Sequence, residues 1–286
     1  MKTLFTTIVL FLSTMLYAQK TVELPLWPEG APNTNGLTGT EEDLEGGRVA
    51  NVVSPSITVY PIKNPNGMAI IACPGGGYAR LAMNHEGHDM AAWMGTQGIT
   101  YVVLKYRMPN GHCEVPLSDA EQAIRLVRKH ASEWGINPDR IGIMGSSAGG
   151  HLAASLATLY SSEETRPDFQ ILFYPVISMD PKVTHGGSRE NLIGKNPTPD
   201  LESKYTLEKQ VNARTPQAFI MLSADDGAVP PANGIQYFEA LLKNGVQGCS
   251  LHVYPTGGHG WGFRDGFTYK RQWTGELEKW LREEVK

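Results

Sequence analysis

Short runs of apolar and β-branched residues recur along this chain, separated by segments rich in glycine, proline and charge. Each run is short for a helix and is bounded by turn residues, which is typical of buried strands. The predicted strands cover residues 57–60, 68–73, 99–105, 141–144, 169–176, 218–222 and 250–254.

Between several of these runs, apolar residues recur at helical spacing. In residues 119–134, for example, Ala120, Ala123 and Val127 fall on one face of a helix. Further helices are predicted over residues 85–97, 150–160, 231–243 and 270–282. The alternation of strands and helices predicts an α/β fold, in which a mostly parallel sheet carries helices on both faces.

Two segments depart from this alternation. Residues 23–54 are rich in proline, glycine, asparagine and acidic residues, and we expect them to wrap the surface before the sheet begins. Residues 178–215 carry glycine, proline, asparagine and charge without a long apolar periodicity, and they separate two predicted strands. We therefore predict an insertion at residues 178–215.

A Gly-x-Ser-x-Gly sequence at residues 145–149 lies between a predicted strand and an alanine-rich predicted helix. In that context it is typical of a nucleophile elbow, where small neighbours let the chain turn sharply and raise the serine hydroxyl above the sheet edge. Ser147 is therefore the candidate nucleophile.

A serine hydroxyl needs a base that removes its proton and a third group that orients the base. Asp226 and His259 each follow a predicted strand, and the order Ser147, Asp226, His259 is that of the α/β-hydrolase fold. Asp225 competes with Asp226, but the Asp-x-x-Val-Pro pattern begins at Asp226. We expect Asp225 to bind backbone amides of a loop instead.

Acyl transfer forms an oxyanion, which backbone amides commonly stabilise. The glycine-rich loop at residues 73–78 follows a predicted strand and offers such amides. We assign the predicted oxyanion hole to Gly76, Gly77 and Ala148, with Gly75 shaping the turn. A phosphate-binding loop is the alternative, but no Gly-Lys-Ser/Thr sequence follows.

These motifs resemble those of α/β-hydrolase esterases of the bacterial acetylxylan and feruloyl esterase type, over nearly the whole mature chain. The motifs that carry the resemblance are PLWPEGAPN, CPGGGY, LKYRMPNG, VPLSDA, GSSAGGHLA, the Asp-Asp-x-x-Val-Pro loop and GGHGWGF. One departure is Pro74, which stands where such loops usually have a histidine. The resemblance implies an α/β-hydrolase catalytic domain over residues 19–286 and hydrolysis of acetyl or hydroxycinnamoyl esters on hemicellulose, with no metal or other cofactor. The expected partner is acylated xylan or a xylo-oligosaccharide.

The resemblance also suggests roles for residues around the site. In such hydrolases, insertions at the position of residues 178–215 lie over the active site, so we predict a small cap there. An irregular surface segment without substrate contact is the alternative. Tyr78 and Trp261 are adjacent to the catalytic loops and could stack on a sugar or a feruloyl ring, or could pack in the wall instead.

Two other functions stay open at this point. A serine peptidase of the same fold would use the same three residues, although this chain is too short to include a propeller. A non-catalytic carbohydrate-binding protein is the second alternative, but it would not need the complete set of catalytic residues.

Several histidines have an alternative interpretation. His85 and His88, with Glu86 and Asp89, resemble metal ligands, but a third well-spaced ligand is missing and we predict no metal. His151 falls four residues after Ser147 on the same helical face, where we expect it to pack beneath the site.

Composition agrees with an enzyme of one α/β domain, since 41% of the 286 residues are hydrophobic and 19% are charged. The net charge of −4 and the lack of a dense Lys/Arg cluster argue against nucleic-acid or anionic-membrane binding. Residues 1–18 combine Lys2, an apolar stretch and a final Ala18, which predicts a cleaved signal peptide and a periplasmic or secreted protein.

Overall fold

The fold is described for residues 20–285 of the chain, from a computed structural model. Its strands are β1 (Val22–Pro25), β2 (Glu42–Leu44), β3 (Arg48–Ala50), β4 (Ser56–Tyr60), β5 (Gly67–Cys73), β6 (Arg80–Ala82), β7 (Thr100–Lys105), β8 (Ile136–Ser146), β9 (Phe169–Phe173), β10 (Ala218–Ser223) and β11 (Ser250–Tyr254). Its α-helices are α1 (Ala91–Thr96), α2 (Glu114–Lys129), α3 (Ala148–Leu159), α4 (Gly186–Ile193), α5 (Pro199–Tyr205), α6 (Ala232–Lys243) and α7 (Lys270–Glu283).

Eight strands form the main sheet, in the order β1-β4-β7-β5-β8-β9-β10-β11. From β7 to β11 all neighbours pair in parallel, whereas β4 runs antiparallel to both β1 and β7. The α/β-hydrolase fold with a mostly parallel sheet, predicted from the sequence, is confirmed.

The centre of the sheet is covered on both of its faces. Consecutive residues of a strand point to opposite faces, and every residue from Met68 to Cys73 in β5 is buried, as are all residues of β9 and β10. This buried centre fixes the strand ends, and the loops that follow β5, β8, β10 and β11 leave from the same edge.

Some predicted boundaries were wrong. The helix predicted over residues 119–134 begins earlier, at Glu114, since Pro116 falls in its first turn, where proline is tolerated. It also ends earlier, at Lys129, and turns follow it. The helix predicted over residues 85–97 is only the short α1, preceded by a 3₁₀ turn.

The expectation for residues 23–54 was also wrong in part. Residues Glu23 to Pro25 belong to β1, which pairs with β4 at the sheet edge. Intermediate and exposed residues alternate along β1, as expected for a half-buried edge strand. Farther on, β2 and β3 join β6 in a separate three-stranded sheet.

The insertion at residues 178–215 contains α4, α5 and a 3₁₀ turn at Leu207–Lys209. Thr198 accepts a hydrogen bond from the Leu201 N–H, and Pro199 takes the first helical position, so α5 begins with favourable capping residues. Short helices therefore form where no long periodicity was visible.

Two findings concern membranes and export. Within residues 20–285, no helix combines the length and apolar character needed to span a membrane. The predicted signal peptide at residues 1–18 lies outside the described residues.

Candidate active site

Ser147 lies at a sharp turn between β8 and α3, with φ 55° and ψ −120°. A positive φ is uncommon for a residue other than glycine and costs on the order of 1–3 kcal/mol. The flanking glycines are sterically required. A Cβ at Gly145 would lie 2.1 Å from the Gly149 carbonyl oxygen, and one at Gly149 would lie 2.0 Å from the Cys73 carbonyl oxygen.

The structure brings the three predicted catalytic residues together. The distance from Ser147 Oγ to His259 Nε2 is 2.8 Å, and the distance from His259 Nδ1 to Asp226 Oδ2 is 2.6 Å. An ionised carboxylate can only accept, so Nδ1 carries the proton and Nε2 accepts from the serine hydroxyl. This arrangement lets His259 act as a general base toward Ser147.

The loop after β10 holds the acidic residue firmly. Asp226 Oδ1 accepts hydrogen bonds from the N–H groups of Ala228 and Val229, each at 2.9 Å. Its carboxylate is therefore fixed by the turn that also contains the Val-Pro sequence. The Asp226 side chain is 2% exposed and that of His259 is 22% exposed, so the imidazole remains accessible from the cavity.

Asp225 has a different role from its neighbour. Its two carboxylate oxygens accept from the N–H groups of Gly258, at 2.8 Å, and Gly257, at 3.2 Å. The hydrogen bond from Gly258 is the main reason that the pKa of Asp225 lies below its usual value. The expectation that Asp225 binds loop amides is confirmed, and the loop that it shapes carries His259.

The glycine-rich loop after β5 presents main-chain donors beside Ser147. Gly76 and Gly77 have φ values of 136° and 69°, and a Cβ at Gly76 would lie 2.2 Å from the Arg80 carbonyl oxygen. Within the described residues, the N–H groups of Gly76, Gly77 and Ala148 have no acceptor in the protein. Ala148 begins α3, so its amide lies at the positive end of the helix dipole.

Glu86 supports this loop, although its spacing to His85 and His88 resembles that of a metal ligand. It is 4% exposed, and its Oε2 accepts from the Gly75 N–H at 2.7 Å. Its Oε1 accepts from the Tyr174 hydroxyl at 2.8 Å. Burial raises the pKa of Glu86, while these two hydrogen bonds favour its ionised form. No motif marked this residue, because its role depends on the approach of distant loops.

Tyr174 connects Glu86 to the loop that carries His259. The Tyr174 hydroxyl accepts from the Gly262 N–H at 2.8 Å, and the centre of its ring lies 4.7 Å from that of His259. Tyr174 also has a positive φ of 35°, directly after β9. One network of hydrogen bonds therefore links the glycine-rich loop after β5 to the loop that carries His259.

A cavity of about 440 Å³ opens above Ser147. Nine of its fifteen lining residues are polar or charged, four are glycines, and none is Phe, Tyr or Trp. The lining residues are Arg48, Gly76, Gly77, Ala79, Arg80, Ala82, His85, Glu86, Ser147, His185, Gly187, Asn191, His259, Gly260 and Arg264. Such a lining suits a polar ligand better than an extended apolar one.

The two predicted stacking residues do not line this cavity. Tyr78 is 2% exposed, and its hydroxyl forms a hydrogen bond with His151 Nδ1 at 3.0 Å. Trp261 is 4% exposed and stacks on Phe267, with 4.1 Å between ring centres. Both rings are packed in the interior, so of the two roles left open for these residues the structure favours packing over stacking on a substrate ring.

His151 packs beneath the site, as predicted. It is fully buried, and its Nε2–H donates to the Tyr205 carbonyl at 2.9 Å while Nδ1 accepts from Tyr78. Burial lowers the pKa of His151 to about 4. The neutral imidazole thereby ties α3, below the nucleophile, to the insertion that contains Tyr205.

The insertion also reaches the cavity. The Asn191 side-chain amide on α4 donates to the Gly77 carbonyl at 2.8 Å, and His185 lines the cavity. Burial is the main cause that lowers the pKa of His185, and the nearby His259 lowers it further. Residues 178–215 thus hold the oxyanion loop from outside the main sheet. Elsewhere, no group of three possible metal ligands forms among residues 20–285.

The fold and this site define a hydrolase of the α/β class, and comparison with known families agrees. The profile of a family with the α/β hydrolase fold matches residues 71–263. The chain belongs to that family.

The chain is also similar in sequence to two individual curated proteins. The chain is 46% identical to an acetylxylan esterase from Xylanibacter ruminicola over 224 residues, which are 77% of this chain and 46% of that protein. It is 35% identical to endo-1,4-beta-xylanase B from Butyrivibrio fibrisolvens over 205 residues, which are 67% of this chain and 32% of that protein. The chain therefore spans less than half the length of either relative.

Solved structures are similar over most of the chain. An acetyl ester-xyloside bifunctional hydrolase from Caldicellulosiruptor lactoaceticus has a TM-score of 0.77 and 35% identity, covering 91% of this chain and 95% of that one. A sugar hydrolase from Lactococcus lactis has a TM-score of 0.70 and 28% identity, covering 85% and 96%. The resemblance to esterases of the acetylxylan type, expected from the motifs, is confirmed.

Proposed function

We propose that this protein is a serine carboxylic ester hydrolase that removes acetyl groups from xylan or xylo-oligosaccharides. The observation that carries the proposal is the chain of short hydrogen bonds from Ser147 through His259 to Asp226, beside main-chain amides that have no acceptor among residues 20–285. The similarity to an acetylxylan esterase and to an acetyl ester-xyloside hydrolase supports the substrate class.

The proposed mechanism has two acyl-transfer steps. His259 takes the Ser147 proton as the hydroxyl oxygen attacks the ester carbonyl, and the amides of Gly76, Gly77 and Ala148 stabilise the oxyanion. The imidazolium, held by Asp226, then protonates the departing sugar oxygen, which leaves an acyl-enzyme. A water molecule activated by the same imidazole releases the acid and restores Ser147.

The cavity favours acetyl over feruloyl esters. A hydroxycinnamoyl group carries an extended ring, which proteins commonly hold between apolar and aromatic side chains. The lining of this cavity offers neither Phe, Tyr nor Trp, whereas its arginines, histidines and asparagine can bind sugar hydroxyls. The small acetyl group needs no apolar slot.

We also propose that the protein acts outside the cytoplasm, because residues 1–18 have the features of a signal peptide. N-terminal sequencing of the protein recovered from periplasm and medium would test this. Recovery of intact Met1 in those fractions, or of the protein in the cytoplasm only, would contradict it.

The decisive test of activity compares acetylated xylo-oligosaccharides with methyl ferulate, following the release of acetate and ferulate. We expect acetate release to be the faster of the two, and Ser147→Ala to lower turnover at least about a thousandfold. Activity retained in Ser147→Ala would identify a different nucleophile.

Further substrates address the alternative functions. Cleavage of p-nitroanilide peptides without cleavage of p-nitrophenyl acetate would favour a peptidase. Xylan binding without any hydrolysis by the parent protein would favour a carbohydrate-binding role. Faster release of ferulate than of acetate would overturn the proposed acyl preference.

A further inference from the structure

Three arginines line the cavity that contains Ser147. Arg48 belongs to β3 and Arg80 to β6, which are paired strands of the small sheet, and Arg264 lies in the loop before α7. Within residues 20–285, none of the three has a carboxylate within ion-pair distance. Three arginines from three segments therefore line one cavity without a carboxylate partner among residues 20–285, although the whole chain carries a net charge of −4. The Arg48 guanidinium also donates a hydrogen bond to the Glu45 carbonyl at 3.1 Å.

The acidic residue in the cavity lining is hydrogen-bonded to groups other than these arginines. Both carboxylate oxygens of Glu86 already accept hydrogen bonds, from Gly75 and Tyr174, and the side chain is buried beneath the loop. Asp226, the acid of the catalytic group, is bound to His259 and to two backbone amides. The three arginines therefore outnumber the two carboxylates of the site, Glu86 and Asp226, and both carboxylates are hydrogen-bonded to other groups.

His85 is hydrogen-bonded to one of the arginines. A terminal nitrogen of Arg264 lies 3.2 Å from His85 Nε2, so the neutral imidazole can accept its hydrogen bond. Burial lowers the pKa of His85 to about 4, and the charges of Arg264 and Arg48 contribute to this shift. Arg264 and Arg48 thus lie near the same imidazole, and Arg80 lines the same cavity.

Guanidinium groups bind carboxylates with particular geometric fit, since their planar donors match both oxygens. We propose that Arg48, Arg80 and Arg264 form a subsite for a carboxylate on the sugar portion of the substrate. The preferred substrate is then an acetylated xylo-oligosaccharide that carries a uronic acid branch near the scissile ester. This inference rests on the proposed esterase function and specifies its substrate.

The experiment uses a matched pair of substrates. One is an acetylated xylo-oligosaccharide with a free uronic acid, and the other is the same molecule with that carboxylate converted to a neutral methylamide. For the wild-type protein we expect kcat/KM for acetate release to be about tenfold or more higher with the acid, as for a charge-assisted hydrogen bond. The preference should shrink at high ionic strength, because exposed charges are screened.

Substitution of the arginines tests which residues cause the preference for the acid substrate. Arg48→Gln, Arg80→Gln and Arg264→Gln should each lower the acid-to-amide ratio, and the triple variant should bring it close to one. Arg271→Gln is the matched control, because it removes one exposed positive charge on α7, outside the cavity lining, and should leave the ratio unchanged. A wild-type ratio near one, or an equal fall in the control, would overturn the subsite.

A binding measurement separates this inference from the proposed function. Calorimetry with Ser147→Ala and the two deacetylated oligosaccharides needs no turnover, and the acid should bind about tenfold or more tightly than the amide. Preferential binding of the acid without acetate release by the wild-type protein would contradict the esterase function and support the subsite. Acetate release with equal binding of acid and amide would support the esterase and overturn the subsite. Preference for added free acetate over the sugar acid would place the anion on the acyl side instead and also overturn the proposal.

Discussion

The floor and the rim of the cavity are built in different ways. We define the floor as Ser147, Asp226 and His259 together with the glycine loop after β5, and the rim as Arg48, Arg80, His185, Asn191 and Arg264. Floor residues follow strands of the main sheet and are held by turns with few permitted conformations. Rim residues come from the small sheet, the insertion and the loop before α7.

Because of this difference, we expect the floor to determine the rate of the reaction and the rim to determine the choice of substrate. A Cβ at Gly145 or Gly149 would collide with the main chain, so the floor depends on steric constraints that tolerate little change. The rim consists of side chains at partly exposed positions, where a substitution usually changes the folding stability little. Changes at the floor should therefore alter turnover, and changes at the rim should alter selectivity.

Asp226→Asn should have the largest effect on the floor. An asparagine would no longer hold His259 in the tautomer that accepts from Ser147, and we expect kcat to fall about 10³- to 10⁴-fold. Steady-state hydrolysis of p-nitrophenyl acetate measures the loss. Asp225→Asn is the control, because that residue binds only the Gly257 and Gly258 amides and should cost far less. An equal loss in both variants would contradict the assignment of Asp226.

His151 connects α3 to the insertion, and His151→Gln should change how the free energy of unfolding depends on pH. The pKa of His151 is about 4 in the folded protein and about 6.5 when unfolded, so the unfolded chain takes up the proton first as pH falls. The free energy of unfolding should therefore decrease from pH 6.5 to 4, by about 3 kcal/mol from this residue. Glutamine cannot titrate but can still bond Tyr78 and the Tyr205 carbonyl.

Urea denaturation of both proteins at pH 7, 5.5 and 4 measures this contribution. The two proteins should differ little at pH 7, and the variant should lose less stability on acidification. If the free energy of unfolding fell equally with pH in both proteins, protonation of His151 would not contribute to the pH dependence of stability.

Glu86 supports the floor without touching the substrate ester in our mechanism, so it is a positioning residue. Glu86→Ala leaves the Gly75 N–H and the Tyr174 hydroxyl without their acceptor, and kcat should fall about 10- to 100-fold, less than or similar to removal of an oxyanion donor. Glu86→Gln retains one carbonyl oxygen and should recover most of this loss. KM for p-nitrophenyl acetate should change little in either variant. A fall in stability alone, with kcat unchanged, would indicate a purely structural role.

Asn191→Ala should have the smallest effect, because it removes one partly exposed hydrogen bond from the insertion to the Gly77 carbonyl. We expect kcat/KM for acetylated xylo-oligosaccharides to fall about two- to fivefold, in line with a net hydrogen-bond contribution near 1 kcal/mol. The exposed Asn196→Ala is the matched control on the same insertion. A loss of a hundredfold would show that the rim controls the reaction itself.

The same difference explains what could be predicted from sequence. The floor residues could be predicted from the sequence because each belongs to a local motif, such as Gly-x-Ser-x-Gly after one strand or Asp-x-x-Val-Pro after another. The order of strands in the sheet then brings Ser147, Asp226 and His259 to one edge. Local sequence and the chain order of the fold were sufficient for these residues.

The rest could not be read from local patterns. Glu86 acquires its role only where Gly75 and Tyr174, which are far apart in sequence, meet its carboxylate. The role of Tyr78 and Trp261 stayed open because adjacency to a predicted catalytic loop does not determine whether a ring points outward or into the core. The arginines of the rim lie on short strands and loops whose pairing is decided by tertiary contacts.

The backbone conformation of Ser147 has a consequence for engineering. Glycine adopts φ 55° and ψ −120° with far less strain than serine does, so replacing the nucleophile with glycine should relax the turn while abolishing catalysis. The protein is thus less stable with serine at this position than it would be with glycine, and the serine hydroxyl is held in the turn at that cost. A search for heat-resistant variants that screens only melting temperature would reward inactive proteins at this position, and turnover has to be assayed in every round.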